Sequence, residues 1–126
     1  MHRLAMGSAL FAWSGRLTPT IIWRILKSLA QQGSYIESYL SHYFAPNTHL
    51  TGEALGLLYL GTALPWLTDA SRWRELGVRI LLEQLPRQVQ PDGVYFEHAS
   101  YYHRYTTDFY VHAMLLARAG GLAPPP

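Results

Sequence analysis

The sequence predicts an all-α fold of stacked antiparallel helical hairpins, on three observations. Apolar residues recur at three- and four-residue spacing almost throughout the chain. Helix start and stop signals punctuate that pattern at helix-length intervals. The segments between them are short, which makes successive helices antiparallel neighbours. Hydrophobic residues are 49% of 126, enough to form a packed core. Helix would take about 70% of the chain, roughly double the usual share.

A first helix is expected from Leu4 to Trp13, ended by Ser14-Gly15. Thr18-Pro19 opens the second, with Thr as N-cap and Pro at the first helical position. Its apolar stripe is Ile21, Ile22, Ile25, Leu26 and Leu29, and Gly33 is expected to stop it. Ser34-x-x-Glu37 has the form of a capping box for a third helix reaching about Tyr43. Ala45-Pro46-Asn47-Thr48 breaks the chain before a fourth helix, from His49 to Leu64. Asp69 caps a fifth through Trp73, Leu76, Ile80, Leu81 and Val89. Pro86 should kink that helix or end it early, because it removes a backbone hydrogen bond and clashes with the preceding turn. Gln90-Pro91-Asp92-Gly93 reads as a turn and Val94-Tyr95-Phe96 as a short extended segment. Ser100 caps the last helix, Tyr105, Phe109, Ala113 and Leu116 form its stripe, and Gly120-Gly121 ends it. Residues 1–121 are expected to form one helical segment, with 122–126 a disordered Pro-rich tail.

Composition removes several function classes. The net charge is +2, from 10 basic and 8 acidic residues. The basic residues are scattered, with Lys27 the sole lysine, so no nucleic-acid-binding face is expected. The absence of cysteine excludes disulfide scaffolds, zinc knuckles, iron–sulfur sites and thiol nucleophiles. The six histidines fall into no His-Glu-x-x-His or facial-triad spacing, so no metal is expected. Nor is there a Gly-rich phosphate loop or a Gly-x-Ser-x-Gly elbow. The longest apolar run, Leu50 to Leu67, is interrupted by Gly52, Glu53, Gly56, Gly61 and Pro65, so no membrane span of ~20 residues is expected. Met1–Trp13 has an Arg and an apolar stretch but no small-x-small cleavage site before Arg16, and reads as a helix rather than a signal peptide.

Two clusters carry chemistry. The first is Asn47-Thr48-His49-Leu50-Thr51-Gly52-Glu53. Asn47 and His49 sit at a helix start, where free N–H groups and the helix dipole favour an anion such as a carboxylate. Glu53, one turn beyond His49, is placed to fix the orientation of its ring. The same residues also read as an ordinary cap and an ordinary i,i+4 pair. The second is Glu97-His98-Ala99-Ser100-Tyr101-Tyr102-His103-Arg104-Tyr105. A tyrosine beside a cation can act as a base, because the cation favours the phenolate. The plainer alternative is an aromatic helix start making structural hydrogen bonds. Glu53, Glu97 and Asp108 also offer carboxylates for glycoside hydrolysis. His112 falls on the core-facing side of the last helix and reads as structural.

Three stretches taken together resemble the heparinase II/III-like polysaccharide lyases and related alginate lyases. They are Asn47-Thr48-His49-Leu50-Thr51-Gly52-Glu53-Ala54-Leu55-Gly56-Leu57, then Gln88-Val89-Gln90-Pro91-Asp92-Gly93 with Phe96-Glu97, then Tyr102-His103-Arg104-Tyr105. The resemblance runs from about Leu4 to Gly121 and implies a segment of an (α/α) toroid, followed in the family by a β-sandwich. It implies β-elimination of uronate-containing acidic glycans such as heparan sulfate or alginate, with no cofactor. Asn47 and His49 match the residues that neutralise the uronate carboxylate, and Tyr102 the proton-transfer tyrosine. Tyr102 follows Asn47 by 55 positions, as in the family pattern. Arg104, His103 and Glu97 fall to substrate binding, and Glu53 to support of His49. The family's adjacent Asn-His pair is here split by Thr48, and the chain ends before its later catalytic histidine. The resemblance also implies a periplasmic or secreted protein.

Length bears on what the isolated chain does. A closed toroid needs several hundred residues, whereas about six helices fit in this chain. The expectation is therefore a piece of the lyase domain, inactive alone, whose open apolar helix faces are covered by self-association or a partner. A non-catalytic glycan-binding module and a carboxylate-based glycosidase are the alternatives.

Overall fold

The computed structural model describes residues 15, 17–43 and 46–121. The expected first helix and the tail 122–126 lie outside the described residues. Four helices follow: α1 (Pro19–Ser38), α2 (Thr48–Ala63), α3 (Ala70–Gln88) and α4 (Ser100–Ala119). Among the described residues extended pairing is confined to one antiparallel bridge, Val89 with Tyr95. The fold is all-α, as the periodicity predicts.

α1 begins as the sequence dictates. Thr18 holds an extended backbone, its side-chain oxygen accepts the Ile21 N–H, and Pro19 occupies the first turn. It does not stop at Gly33. The second and third expected helices are one helix, which ends at Ser38 rather than Tyr43. A Cβ on Gly33 would lie 2.6 Å from the Trp73 ring, so this glycine serves close packing between helices. Ser34 is no cap either. Its hydroxyl donates back to the Ala30 carbonyl, while Glu37 accepts hydrogen bonds from Trp73 Nε1 and Arg72.

α2 is the centre of the molecule. Eleven of its residues are buried, around its whole circumference, as in a helix enclosed by others. Gly61 lies against Ala70 and Arg74, and Gly77 against Ala54 and Leu58, so α2 and α3 run antiparallel at close range. A Cβ on Gly77 would meet the Ala54 carbonyl at 2.5 Å. α4 runs in the same direction as α2. Phe109 meets Gly52, His112 meets Tyr59, and Gly120 meets Thr62. Apolar clusters fill the seams: Leu29, Leu57, Leu60 and Trp73 towards α1, then Leu50, Leu58 and Ile80 towards α3, then Leu55 and Phe109 towards α4.

Three further expectations are corrected. Asp69 occupies the cap position of α3 without a side-chain cap bond, because its carboxylate pairs with Arg72 at 2.8 Å. Pro86 does not end α3 early. The helix runs two residues past it, where the ring sits on an exposed side of the last turn and the missing N–H costs one bond to the Leu82 carbonyl. Ala99, not Ser100, is the N-cap of α4. The turn is as expected: Gly93 N–H donates to the Gln90 carbonyl, Asp92 accepts from Val94, and Gly93 takes a positive φ.

Candidate active site

The parallel course of α2 and α4 brings their N-termini to one end of the molecule. Each start contributes free N–H groups and the positive end of a helix dipole. Asn47 caps α2, its Oδ1 accepting the His49 N–H at 3.0 Å. His49 is exposed in the first turn of α2, and Tyr102, 41% exposed, in the first turn of α4. A cleft of about 710 Å³ opens between these helices. His49, Glu53, Tyr102, Tyr105, Asp108 and His112 contribute its polar lining. Residues 53 positions apart, His49 and Tyr102, thus share one concave surface.

Asn47 is fixed from behind. Gln88, buried at 2% exposure, donates from Nε2 to the Pro46 carbonyl at 2.8 Å and the Asn47 carbonyl at 3.3 Å. The Thr51 hydroxyl also donates to the Asn47 carbonyl. Asn47 Nδ2 in turn donates to Glu97 Oε1 at 3.3 Å. Glu97 therefore meets Asn47 rather than lining the cleft. Its other oxygen is buried, next to the Tyr95 phenol. Burial pushes that phenol up to about 12, and the Glu97 carboxylate beside it adds to the rise.

Glu53 does not orient His49. Both carboxylate oxygens are taken by Ser41, one by its N–H at 2.8 Å and one by its hydroxyl at 2.7 Å. Glu53 thereby ties the start of the α1–α2 connection to the cleft wall. With Glu53 and Glu97 so engaged, no opposed pair of carboxylates free of hydrogen bonds presents itself among the described residues for glycoside hydrolysis. His103, beside Tyr102 in sequence, points elsewhere on the helix. Its Nδ1 accepts the Tyr95 N–H at 3.3 Å, and it lines a separate groove of about 220 Å³ with Leu85, Tyr110 and Met114. Arg104 is exposed and outside the cleft lining. Among the described residues no three His, Asp or Glu side chains converge as a metal site would require.

Sequence reasoning missed His112 in the cleft and the tyrosine behind it. His112, read as structural, lines its floor and is hydrogen-bonded through Nδ1 to the Tyr59 hydroxyl. Burial raises the Tyr59 phenol, which favours its protonated form. Tyr102, Tyr105, Phe109 and His112 fall at helical spacing, so the stripe itself could have placed His112 below Tyr102. Tyr59 lies on another helix, and no local pattern links it to the site. Asp108, weighed only as a hydrolytic acid, also lines the cleft.

Comparison with known proteins bears on this geometry. A family model described as the heparinase II/III N-terminus matches residues 2–124. A heparin-sulfate lyase of Pedobacter heparinus is 32% identical over 105 residues, covering 83% of this chain and 16% of the relative. One of Bacteroides thetaiotaomicron is 32% identical over 114 residues (90% and 16%), and one of Bacteroides stercoris 30% over 108 (86% and 16%). The chain thus spans about one-sixth of the length of these curated relatives. No solved structure matches. With the family match extending over nearly the whole sequence, the chain belongs to the heparinase II/III N-terminus family.

Proposed function

We propose that this chain supplies part of the active site of a polysaccharide lyase that cleaves uronate-containing acidic glycans, of the heparan type, by β-elimination. The observation that carries the reading is the placement of His49 and Tyr102 in one cleft, with Asn47 outside its lining but bonded to the His49 N–H. Two helix N-termini at that end favour an anionic ligand. The curated relatives are heparin-sulfate lyases, which supports a glycan of that class.

The chemistry follows from the residue types. The C5 proton of a uronate is weakly acidic, and its removal drives negative charge onto the adjacent carboxylate. The Asn47 amide and the His49 ring N–H stabilise that charge, and one such donor is typically worth about 10²–10³ in rate. Tyr102 takes the C5 proton. The C4–O4 bond then breaks, O4 leaves with a proton returned to it, and a 4,5-unsaturated sugar remains. The chain's helices form one segment of an (α/α) toroid, and in the longer relatives the sequence beyond the matched sixth is available to complete a substrate-binding surface.

The test is incubation with heparan sulfate and other uronate glycans, following absorbance near ~235 nm from the conjugated product. The chain is assayed alone and in place of the matched segment of a curated heparin-sulfate lyase. Absorbance should rise for the longer form and be lost in Tyr102→Phe. A longer form that binds these glycans without any absorbance change would overturn the lyase reading and leave a binding module.

A further inference from the structure

The motif running from Gln88 to Glu97 takes no part in the chemistry above, yet it is bound directly to Asn47. We propose that Glu97 is a positioning residue that acts through Asn47, selecting one orientation of its amide and aiming its remaining N–H at the substrate carboxylate. The proposal rests on the lyase reading and deepens it.

An amide group offers one acceptor oxygen and two N–H donors, and its two faces are interchangeable until neighbours distinguish them. Here both neighbours do. Oδ1 faces the His49 N–H, which only an acceptor can satisfy. Nδ2 faces Glu97 Oε1, which only a donor can satisfy. A flipped amide would set donor against donor and oxygen against carboxylate. The bond to Glu97 uses one N–H of Nδ2 and leaves the other to a ligand. A carboxylate partner also polarises the amide, which strengthens that second donor.

The segment carrying Glu97 is built to hold it there. Its base is the Val89–Tyr95 bridge and the Phe96 N–H donated to the Gln88 carbonyl at 2.8 Å. Gln88 grips the backbone of Pro46 and Asn47 from the same base. His98, which follows Glu97, takes the left-handed conformation at φ 52, where a residue with a Cβ is seldom found. Its N–H donates to the Tyr95 carbonyl at 3.1 Å, closing a tight turn. Such a backbone is kept where the surroundings over-determine it, and here it lies between Glu97 and the start of the helix bearing Tyr102. The Tyr95 N–H bond to His103 Nδ1 joins the same segment to that helix. One turn is thereby bonded to both halves of the site.

The test is a double-mutant cycle between Glu97→Leu and Asn47→Ala, read as the β-elimination rate of the chain set in place of the matched segment of a curated heparin-sulfate lyase. The side-chain NH₂ resonances of Asn47 provide a second readout independent of activity. Glu97→Leu should lower the rate about 10–100-fold, the range found when a partner that orients a functional group is removed. It should have no further effect in the Asn47→Ala background. Glu97→Gln, which keeps an acceptor in place, should show a clearly smaller loss and retain the shifted Asn47 NH₂ pair. Additive losses would overturn the proposal, since Glu97 would then act independently of Asn47. So would unmoved Asn47 resonances in Glu97→Leu. Should Glu97→Leu not fold, Glu97→Gln decides: a loss as large as that of Asn47→Ala, with the Asn47 NH₂ pair unshifted from wild type, overturns it. If Asn47→Ala itself leaves the rate unchanged, the lyase reading of Asn47 fails instead, while the resonances still report whether Glu97 orients the amide.

Discussion

Single side chains here take their meaning from partners far away in sequence. Gly33 shows this best. Glycine in a helix interior costs about 1 kcal/mol against alanine, so a glycine after a helical stripe reads as a stop. The cost is accepted because the Trp73 ring, 1% exposed, occupies the space a Cβ would need. That ring cannot retreat freely, since its Nε1 is held by Glu37 at 3.0 Å. Gly33→Ala should therefore destabilise the fold, by about 1–3 kcal/mol from overpacking despite the gain in helix propensity. Urea unfolding followed by tryptophan fluorescence measures it, and an unchanged or raised midpoint would refute the packing account. The same contact explains Glu37. Spaced three residues after Ser34, it has the form of a capping box, but Trp73 and Arg72 claim its carboxylate. Local spacing carries no information about a partner 36 positions away.

Elements show where legibility ends. The long helices follow from periodicity and caps because those are local properties: Thr18, Asn47 and Gly120 mark boundaries that the structure keeps. The clustering of Asn47, His49 and Tyr102 was readable only as motif spacing, since it depends on α2 and α4 running parallel. The segment between α3 and α4 was readable as a turn but not as the support of Asn47, which requires Gln88 and Glu97 to meet a distant loop. Tyr95 gives that segment a measurable signature. In the folded state burial holds its phenol at about 12, while in the unfolded chain it ionises near its ordinary 10.0. Between those values the unfolded state binds fewer protons, so stability must fall as pH rises through that window. Below pH 10 the contribution is fully present. Tyr59 and Tyr110, also raised by burial, add slopes of the same sign. Denaturant midpoints from pH 8 to 12 should decline at the alkaline end, and Tyr95→Phe should flatten that decline. An identical slope in the variant would show that Tyr95 does not titrate in this way.

Across the described residues, burial is concentrated in one helix. α2 buries residues on every side, whereas α1 buries Leu29 and Gly33 alone and leaves Trp23 69% exposed. α4 buries Thr106 and Phe109. Stability in such a structure is graded, because local opening is cheapest where fewest apolar contacts break. The site spans that gradient. Asn47 and His49 stand at the start of the most buried helix, and Tyr102 at the start of a much more exposed one. Amide hydrogen exchange should therefore be slowest in α2, intermediate in α3, and fastest in α1 and α4. The bonds from Tyr95 to His103 and from Tyr110 to Leu81 should make the first half of α4 slower than its last turns. Equal protection of α1 and α2 would mean that the chain opens only as one cooperative unit, and that the burial gradient does not govern its fluctuations. If the graded order holds, Tyr102 is carried on the more mobile wall of the cleft, and under the proposed lyase reading a bound uronate oligosaccharide should steady that wall. Slowed exchange at residues 100–106 on adding such an oligosaccharide, with α2 unchanged, is the result that would follow.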